Sequence, residues 1–175
     1  RITQIIETSV ETAYPVTADP WYSFLPDAIA AVINAVKMVV VSNTVFAAAL
    51  GAWMNAKTRL SGGACRFESS FDLYVCWGGK LQWMAGGGGT TYGTTFLFKD
   101  TKDPKTVKPY TDSSKYKALL KHEAEHMKQW KLLGPAFVAS YVAGMGVSLY
   151  KTGNYACGNI WEMMAGFKDG GYDYC

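Results

Sequence analysis

Residues 113–135 read SSKYKALLKHEAEHMKQWKLLGP, and this stretch decides the fold that we expect. Its apolar residues recur at three- and four-residue steps, which is typical of a helix that buries one side. These positions are Leu119, Leu120, Ala124 and Met127. Ser113 or Ser114 can cap the first turn. Gly134 and Pro135 end the helix, because glycine suits a left-handed cap and proline cannot continue the helix.

The two histidines of the chain stand four residues apart inside this predicted helix, in the sequence His122-Glu123-Ala124-Glu125-His126. Side chains at positions i and i+4 share one side of a helix about 5–6 Å apart, so both imidazoles can reach one metal ion. Glu123 projects about 100° round the helix, beside the open metal position. H-E-x-x-H zinc sites need these two ligands and this general base. The alternative is a solvent-facing helix with two coincidental histidines.

A catalytic zinc ion needs a third protein ligand besides water. Since no third histidine exists, this ligand must be a downstream acid, and the candidates are Glu162, Asp169 and Asp173. We expect Glu162, because it lies in a short predicted helix that can pack against the motif helix. The alternative is a capping box, in which Glu162 reaches back to Asn159.

Metal-bound imidazoles are oriented by groups that accept their second N–H. Asp169, Asn159 and a backbone carbonyl are the candidates that we consider for this supporting role. The alternative for Asp169 is a turn-stabilising contact before the glycine pair 170–171. Three tyrosines could help to polarise a substrate carbonyl, and the sequence does not distinguish among them. They are Tyr141, Tyr155 and Tyr172.

The rest of the chain predicts an α+β domain over residues 1–175, with a mainly helical portion over 1–64 and a short mixed sheet against the motif helix. Residues 26–57 predict two packed core helices. From Cys65 to Val75 apolar and polar residues alternate, which predicts a strand or a hairpin broken near Ser69 and Ser70. Thr90 to Phe98 predicts one further strand.

Four cysteines at wide spacing predict two disulfides and a secreted, extracellular protein. We expect Cys65 to pair with Cys76, because the residues between them resemble a hairpin. Cys157 and Cys175 then pair by elimination. The alternative is a cytosolic chain with four reduced thiols.

Composition excludes several other classes of protein. The net charge is +3, and the basic excess lies in residues 99–131, which hold nine lysines and five acids. This is too sparse for the basic stripe of a nucleic-acid-binding protein, so we expect no nucleic-acid partner. Residues 28–54 are interrupted by polar side chains, so we expect no stable membrane span. We expect a monomer, in a mature form from which any leader has been removed.

The pattern His122-Glu123-x-x-His126 with a downstream glutamate resembles the zincin metallopeptidases, in their glutamate-liganded branch, the gluzincins. The resemblance implies that zinc (Zn2+) is held by His122, His126 and Glu162, and that Glu123 activates a water molecule for peptide-bond hydrolysis. One departure is Gly166, which stands four residues after Glu162, where larger gluzincins have an aspartate.

The resemblance also implies a peptide or protein substrate that lies extended along the strand before the motif helix, here at Tyr92, Gly93 and Thr94. Across residues 86–174 the chain resembles uncharacterised secreted bacterial proteins that end in a minimal zincin core. The alternative function is a non-catalytic, metal-stabilised binding module or toxin-like effector, whose apolar N-terminal third acts on a partner or a membrane.

Overall fold

The computed structural model describes residues 3–5, 15–17, 25–85, 88–172 and 174–175, with side chains described from residue 29 onward. The chain divides into two compact units, residues 1–39 and 40–175. In the first unit, strands β1 (Thr3–Ile5) and β2 (Pro15–Thr17) pair in antiparallel fashion, and helix α1 begins. The N-terminal portion is therefore helical from residue 25 but contains a strand pair before it.

Helix α1 (Leu25–Leu60) runs without interruption for 36 residues. The prediction of two separate helices is wrong, because the polar run at residues 42–44 is accommodated within one helix. The Thr44 hydroxyl donates a hydrogen bond to the Val40 carbonyl (2.8 Å), and the Asn43 side chain donates to the Leu132 carbonyl (2.6 Å). Because the polar run at residues 42–44 contains no proline or glycine, the backbone continues through it as a helix.

The second unit contains a mixed four-stranded sheet in the order β3-β4-β6-β5. Its strands are β3 (Ala64–Glu68), β4 (Leu73–Trp77), β5 (Gly89–Tyr92) and β6 (Thr95–Phe98). β3 and β4 form an antiparallel hairpin, β4 runs parallel to β6, and β5 and β6 are antiparallel. The expected hairpin is confirmed, with a short 3₁₀ turn at Ser69–Phe71 where it was expected to break.

The stretch predicted as one strand, Thr90 to Phe98, is instead the hairpin β5–β6. Gly93 turns the chain with φ of 59°. A Cβ atom at Gly93 would lie 2.0 Å from the carbonyl oxygen of Ala47, so the turn needs glycine for both its conformation and this close approach.

Three more helices follow the sheet in the part of the chain that the structure describes: α2 (Ser113–Leu133), α3 (Ala136–Thr152) and α4 (Ile160–Ala165). The cap of α2 is Asp112, whose carboxylate accepts from the Ser114 N–H at 2.8 Å, rather than Ser113 or Ser114. At the other end, Gly134 donates to the Trp130 carbonyl at 2.8 Å, as the predicted stop requires.

The core lies on both faces of the sheet. One buried cluster joins the sheet to α2, and its members are Leu73, Val75, Phe96, Phe98, Tyr116, Leu119, Leu120 and Met127. On the other face, Met54 of α1 packs with Cys76 and Leu97. The first cluster fixes α2, which carries the two histidines, against one face of the sheet, and the second fixes α1 against the other. The predicted α+β class is confirmed.

Both predicted disulfides are present, Cys65–Cys76 and Cys157–Cys175. Cys65 and Cys76 are direct partners across the β3–β4 hairpin, which explains their pairing. No free cysteine exists among the described residues. The two disulfides are compatible with an extracellular location.

Candidate metal centre

Three buried side chains from two helices converge on one point. His122 and His126 lie one turn apart on α2, and their Nε2 atoms are 3.1 Å apart. Glu162 projects from α4, with Oε2 3.1 Å from Nε2 of His122 and Oε1 3.5 Å from Nε2 of His126. One ligand atom from each residue lies within 4.8 Å of the others. We call these residues the metal-ligand cluster, and they are the three ligands that the sequence predicts.

Each imidazole is held by an acceptor for its Nδ1 proton. Nδ1 of His122 lies 3.0 Å from the carbonyl oxygen of Gly166. Nδ1 of His126 lies 2.8 Å from Oε1 of Gln129, whose amide nitrogen donates to the Trp161 carbonyl at 3.0 Å. Because carbonyl oxygens only accept hydrogen bonds, each neutral ring carries its proton on Nδ1 and presents a lone pair at Nε2.

The metal-ligand cluster fits a divalent metal ion. Two Nε2 lone pairs would repel each other at 3.1 Å unless a cation lies between them. Oε2 of Glu162 is buried and accepts no well-formed hydrogen bond, although it lies beside His122. Two imidazole nitrogens and a carboxylate oxygen are donors that zinc accepts. The same donors also serve other divalent transition metals, so the site itself does not fix the metal's identity.

The three side chains of the metal-ligand cluster shift one another's pKa values. Burial alone would raise the pKa of Glu162, but the two histidines and the Tyr141 hydroxyl hold it well below its usual range. Burial alone would lower the pKa of His122 and His126, but the carboxylate of Glu162 raises both above the usual value. Protons therefore compete with a metal ion for the same nitrogen atoms.

Glu123, on the same helix turn, is buried beside the cluster. Its Oε2 accepts a hydrogen bond of 2.7 Å from the hydroxyl of Thr91 on β5. Burial raises the pKa of Glu123 above its usual value, while the charges of His126 and His122 and the Thr91 hydroxyl oppose the rise. A carboxylate with a raised pKa next to a metal site can accept and return a proton near neutral pH.

Two of the three tyrosines considered from the sequence lie at the cluster. The Tyr141 hydroxyl donates to Oε1 of Glu162, and the pKa of Tyr141 is raised by burial and by that carboxylate. The Tyr172 ring lies 6.1 Å from the His122 ring, centroid to centroid. Tyr155 is instead exposed at the surface. Only Tyr141 therefore touches a predicted ligand directly through a hydrogen bond.

The remaining predicted residues have other partners. Asp169 pairs with Lys121 at 2.9 Å, and the backbone of Gly166 accepts the His122 proton in its place. The carbonyl is closer to the ring because the chain turns sharply at Gly166 after α4. Asp173 lies outside the described residues.

Asn159 supports the cluster indirectly rather than holding a histidine. Its side-chain oxygen accepts from the Trp161 N–H at 3.2 Å and so caps α4. The same oxygen would lie 2.4 Å from a Cβ atom at Gly144, which shows how closely α4 sits on α3. Glu162 faces the histidines, so the capping-box alternative does not describe its position.

The residues predicted to line a substrate, Tyr92, Gly93 and Thr94, lie at the end of β5 and in the turn after it. β5 is an edge strand of the sheet and ends at Tyr92. Gly93 and Thr94 form the turn, and the Thr94 N–H donates to the Ala47 carbonyl at 3.2 Å, so it is already paired. The strand residue that reaches the site is Thr91.

Sequence reasoning missed Thr91, Gln129 and Gly170. Gln129 stands three residues after His126, a helical spacing that could have identified it. Gly170 packs on the His122 ring so closely that a Cβ atom there would lie 2.6 Å from Cε1. The contacts of Thr91 and Gly170 depend on tertiary packing, which the sequence does not display.

The chain matches no protein-family model, no curated protein and no solved structure in comparisons with each.

Proposed function

We propose that this chain is a secreted zinc peptidase, in which His122, His126 and Glu162 hold the metal ion. The observation that carries the proposal is the meeting of two inward-facing Nε2 atoms with an unsatisfied carboxylate oxygen of Glu162. The buried glutamate beside them, Glu123, supplies the base that hydrolysis requires. Two disulfides are consistent with secretion.

When bound, zinc polarises the scissile carbonyl and lowers the pKa of its water to about 7. Thr91 occupies Oε2 of Glu123, so Oε1 is the oxygen left to take the proton from water. Glu123 then returns this proton to the leaving amine. Gln129 and the Gly166 carbonyl keep the two imidazoles in the tautomer that binds metal.

A peptide substrate is supported by the neighbouring sheet edge. β5 lies at the end of the sheet order, and its Thr91 side chain reaches the general base. The Thr91 carbonyl already accepts from the Trp130 indole N–H at 2.9 Å. An extended peptide that adds to this edge through other main-chain groups would bring its carbonyl groups past Glu123.

The test combines metal analysis with digestion of a broad peptide library. We expect about one zinc ion per purified chain and cleavage products that a chelator abolishes. Glu123→Gln should keep the metal and lower turnover by about 10²–10⁴-fold. Glu162→Gln should lose the metal.

The outcomes also separate the alternative function. Bound metal without turnover under any condition would favour the non-catalytic, metal-stabilised module. Full hydrolysis by Glu123→Gln would refute the mechanism. Full metal occupancy in Glu162→Gln would refute the ligand assignment.

A further inference from the structure

In the first half of α1, residues 25–42, the side chains that the structure describes, from residue 29 onward, include large apolar ones that are exposed. Their exposed fractions run from 47% to 66%. They are Ile29, Val32, Ile33, Val36, Met38, Val39 and Val41. Successive helix positions point about 100° apart, so these residues occupy all sides of the helix rather than one stripe. The expectation of a packed core helix is therefore wrong for this half.

The second half of the same helix packs one of its sides against the folded part. Ala47, Gly51 and Met54 follow at four- and three-residue steps and face the sheet. The carbonyl of Ala47 accepts from the Thr94 N–H at 3.2 Å, and that of Gly51 accepts from the Thr95 hydroxyl at 2.9 Å. One helix thus combines a half that packs one side against the sheet with a half whose large apolar side chains are exposed on several sides. The two halves suit different surroundings.

The length and the flanking residues of the first half fit a lipid bilayer. Eighteen helical residues span about 27 Å at 1.5 Å per residue, close to the hydrocarbon thickness of about 30 Å. Trp21 and Tyr22 precede the segment in the sequence, and the exposed Phe46 follows its end by four residues. Aromatic residues at both ends are typical of helices that meet two membrane interfaces.

A protein partner would fit this segment less well, because it would cover one side and leave the others in water. Hydrocarbon covers all sides at once. Residues 25–42 hold two charged residues, Asp27 in the first turn of the helix and Lys37. Lys37 lies six residues before Asn43, which contacts the folded part. Its flexible stem can carry the ammonium group toward the interface.

We propose that residues 25–42 of α1 insert into the hydrocarbon of a phospholipid bilayer and hold the folded part of the chain at the membrane surface. Most of this segment belongs to Ile29–Leu60, a stretch that by length and composition alone is long and apolar enough to cross a membrane. The disulfides place the folded part on the oxidising side. This inference departs from the expectation of no stable span, and it is independent of the proposed hydrolysis.

The test is flotation of the full 175-residue chain with phosphatidylcholine vesicles through a density gradient. We expect the chain to float with the vesicles and to remain bound in 1 M NaCl, since salt screens charges but does not weaken apolar insertion. Val32→Glu/Val36→Glu should lower the floated fraction by about tenfold or more. The matched control, Ala48→Glu/Ala52→Glu, places the same charges at the same spacing on exposed positions of the packed half and should float like the unchanged chain.

Circular dichroism and the absence of free thiols establish that each variant is folded. Should the Val32→Glu/Val36→Glu chain not fold, Lys37→Leu gives the opposite test, because removing the charge should raise the floated fraction. An unchanged chain that stays at the bottom of the gradient overturns the proposal. Equal flotation of the two double variants would also overturn the proposal. A chain that forms a dimer without lipid and does not bind vesicles would overturn it as well.

Discussion

At the metal-ligand cluster, the orientation of each imidazole depends on one acceptor for its Nδ1 proton. For His126 this acceptor is a side chain, Gln129, which also bonds to the Trp161 carbonyl at the start of α4. Gln129 therefore fixes both the ring and the distance between the two helices that supply ligands. For His122 the acceptor is the Gly166 backbone, which no substitution removes.

Gln129→Leu should lower zinc affinity by about 10–100-fold, because it removes the acceptor that holds His126 in its metal-binding tautomer. The affinity is measured by competition with a chelator of known strength. Glu125→Gln is the control, since Glu125 pairs with Lys128 on the exposed side of the same helix. Unchanged affinity in Gln129→Leu would remove this residue from the site.

Thr91→Val should shift the acidic limb of the pH profile of kcat/KM to higher pH. The Thr91 hydroxyl stabilises the ionised form of Glu123 and so opposes the rise in pKa caused by burial. Without it the pKa of Glu123 rises further, and the base is ionised only at higher pH.

The zinc content of Thr91→Val should be unchanged, and Thr91→Ser should restore the original profile because it keeps the hydroxyl. A shift in metal content, or a profile identical to that of the unchanged chain, would contradict the role given to Thr91.

At the scale of elements, the C-terminal segment that follows α4 closes over His122. The Gly166 carbonyl accepts from that ring, Gly170 packs on its face, and Asp169 pairs with Lys121 on α2. The Cys157–Cys175 disulfide ties the end of the segment to the chain before α4. The described residues of this segment, 166–172, are therefore part of the surroundings of the candidate metal centre.

Gly170→Ala should lower zinc affinity by about tenfold or more, because the added Cβ atom would lie 2.6 Å from Cε1 of His122 and must displace the ring. Gly146→Ala on α3 is the matched control, since nothing lies within 4 Å of a Cβ atom at that position. It should leave zinc affinity unchanged and slightly stabilise the helix. Equal affinities in the two variants would show that the segment gives way without moving His122.

A cluster of charged side chains joins the edge strand β3, the loop between β6 and α2, and α2 itself. Arg66 of β3 bonds to Asp103 and Glu68, and Tyr116 of α2 donates to Glu68 at 2.9 Å. Burial would raise the pKa of Asp103, but the Arg66 guanidinium holds it below its usual value. A lowered carboxyl pKa contributes stability above the unfolded value and loses it as the pH falls through the folded value.

Asp103→Asn should therefore lower the free energy of unfolding at pH 7 by about 1–3 kcal/mol, and the difference from the unchanged chain should shrink below about pH 4. Urea unfolding at pH 7 and at pH 2.5 measures both quantities. A difference that stays constant across this range would mean that the pairing with Arg66 does not set the pKa of Asp103.

On the scale of the whole molecule, the sequence predicted features that depend on local patterns better than features that depend on long-range packing. The motif helix and its glycine stop could be predicted from spacing within one element. The Cys65–Cys76 disulfide followed from the hairpin pattern, Cys157–Cys175 from elimination, and Glu162 from the need for a third donor. The unbroken α1 and its exposed half could not be predicted, since apolar periodicity does not tell a packed helix from an unpacked one. The contacts of Thr91 and Gly170 arise only after the sheet, α2 and the C-terminal segment pack together.

Metal binding should couple to the stability of the folded part, because the ligands come from α2 and α4 and no such site exists in the unfolded chain. Zinc at one hundred times its dissociation constant should add about 2.7 kcal/mol to the free energy of unfolding. For a chain of this size that corresponds to a rise in Tm of about 5–10 °C, which a chelator should reverse in a thermal melt followed by circular dichroism. Glu162→Gln is the control, and its Tm should be the same with and without zinc. If the unchanged chain also melts at one temperature in both conditions, the three side chains do not hold a metal ion in the native state.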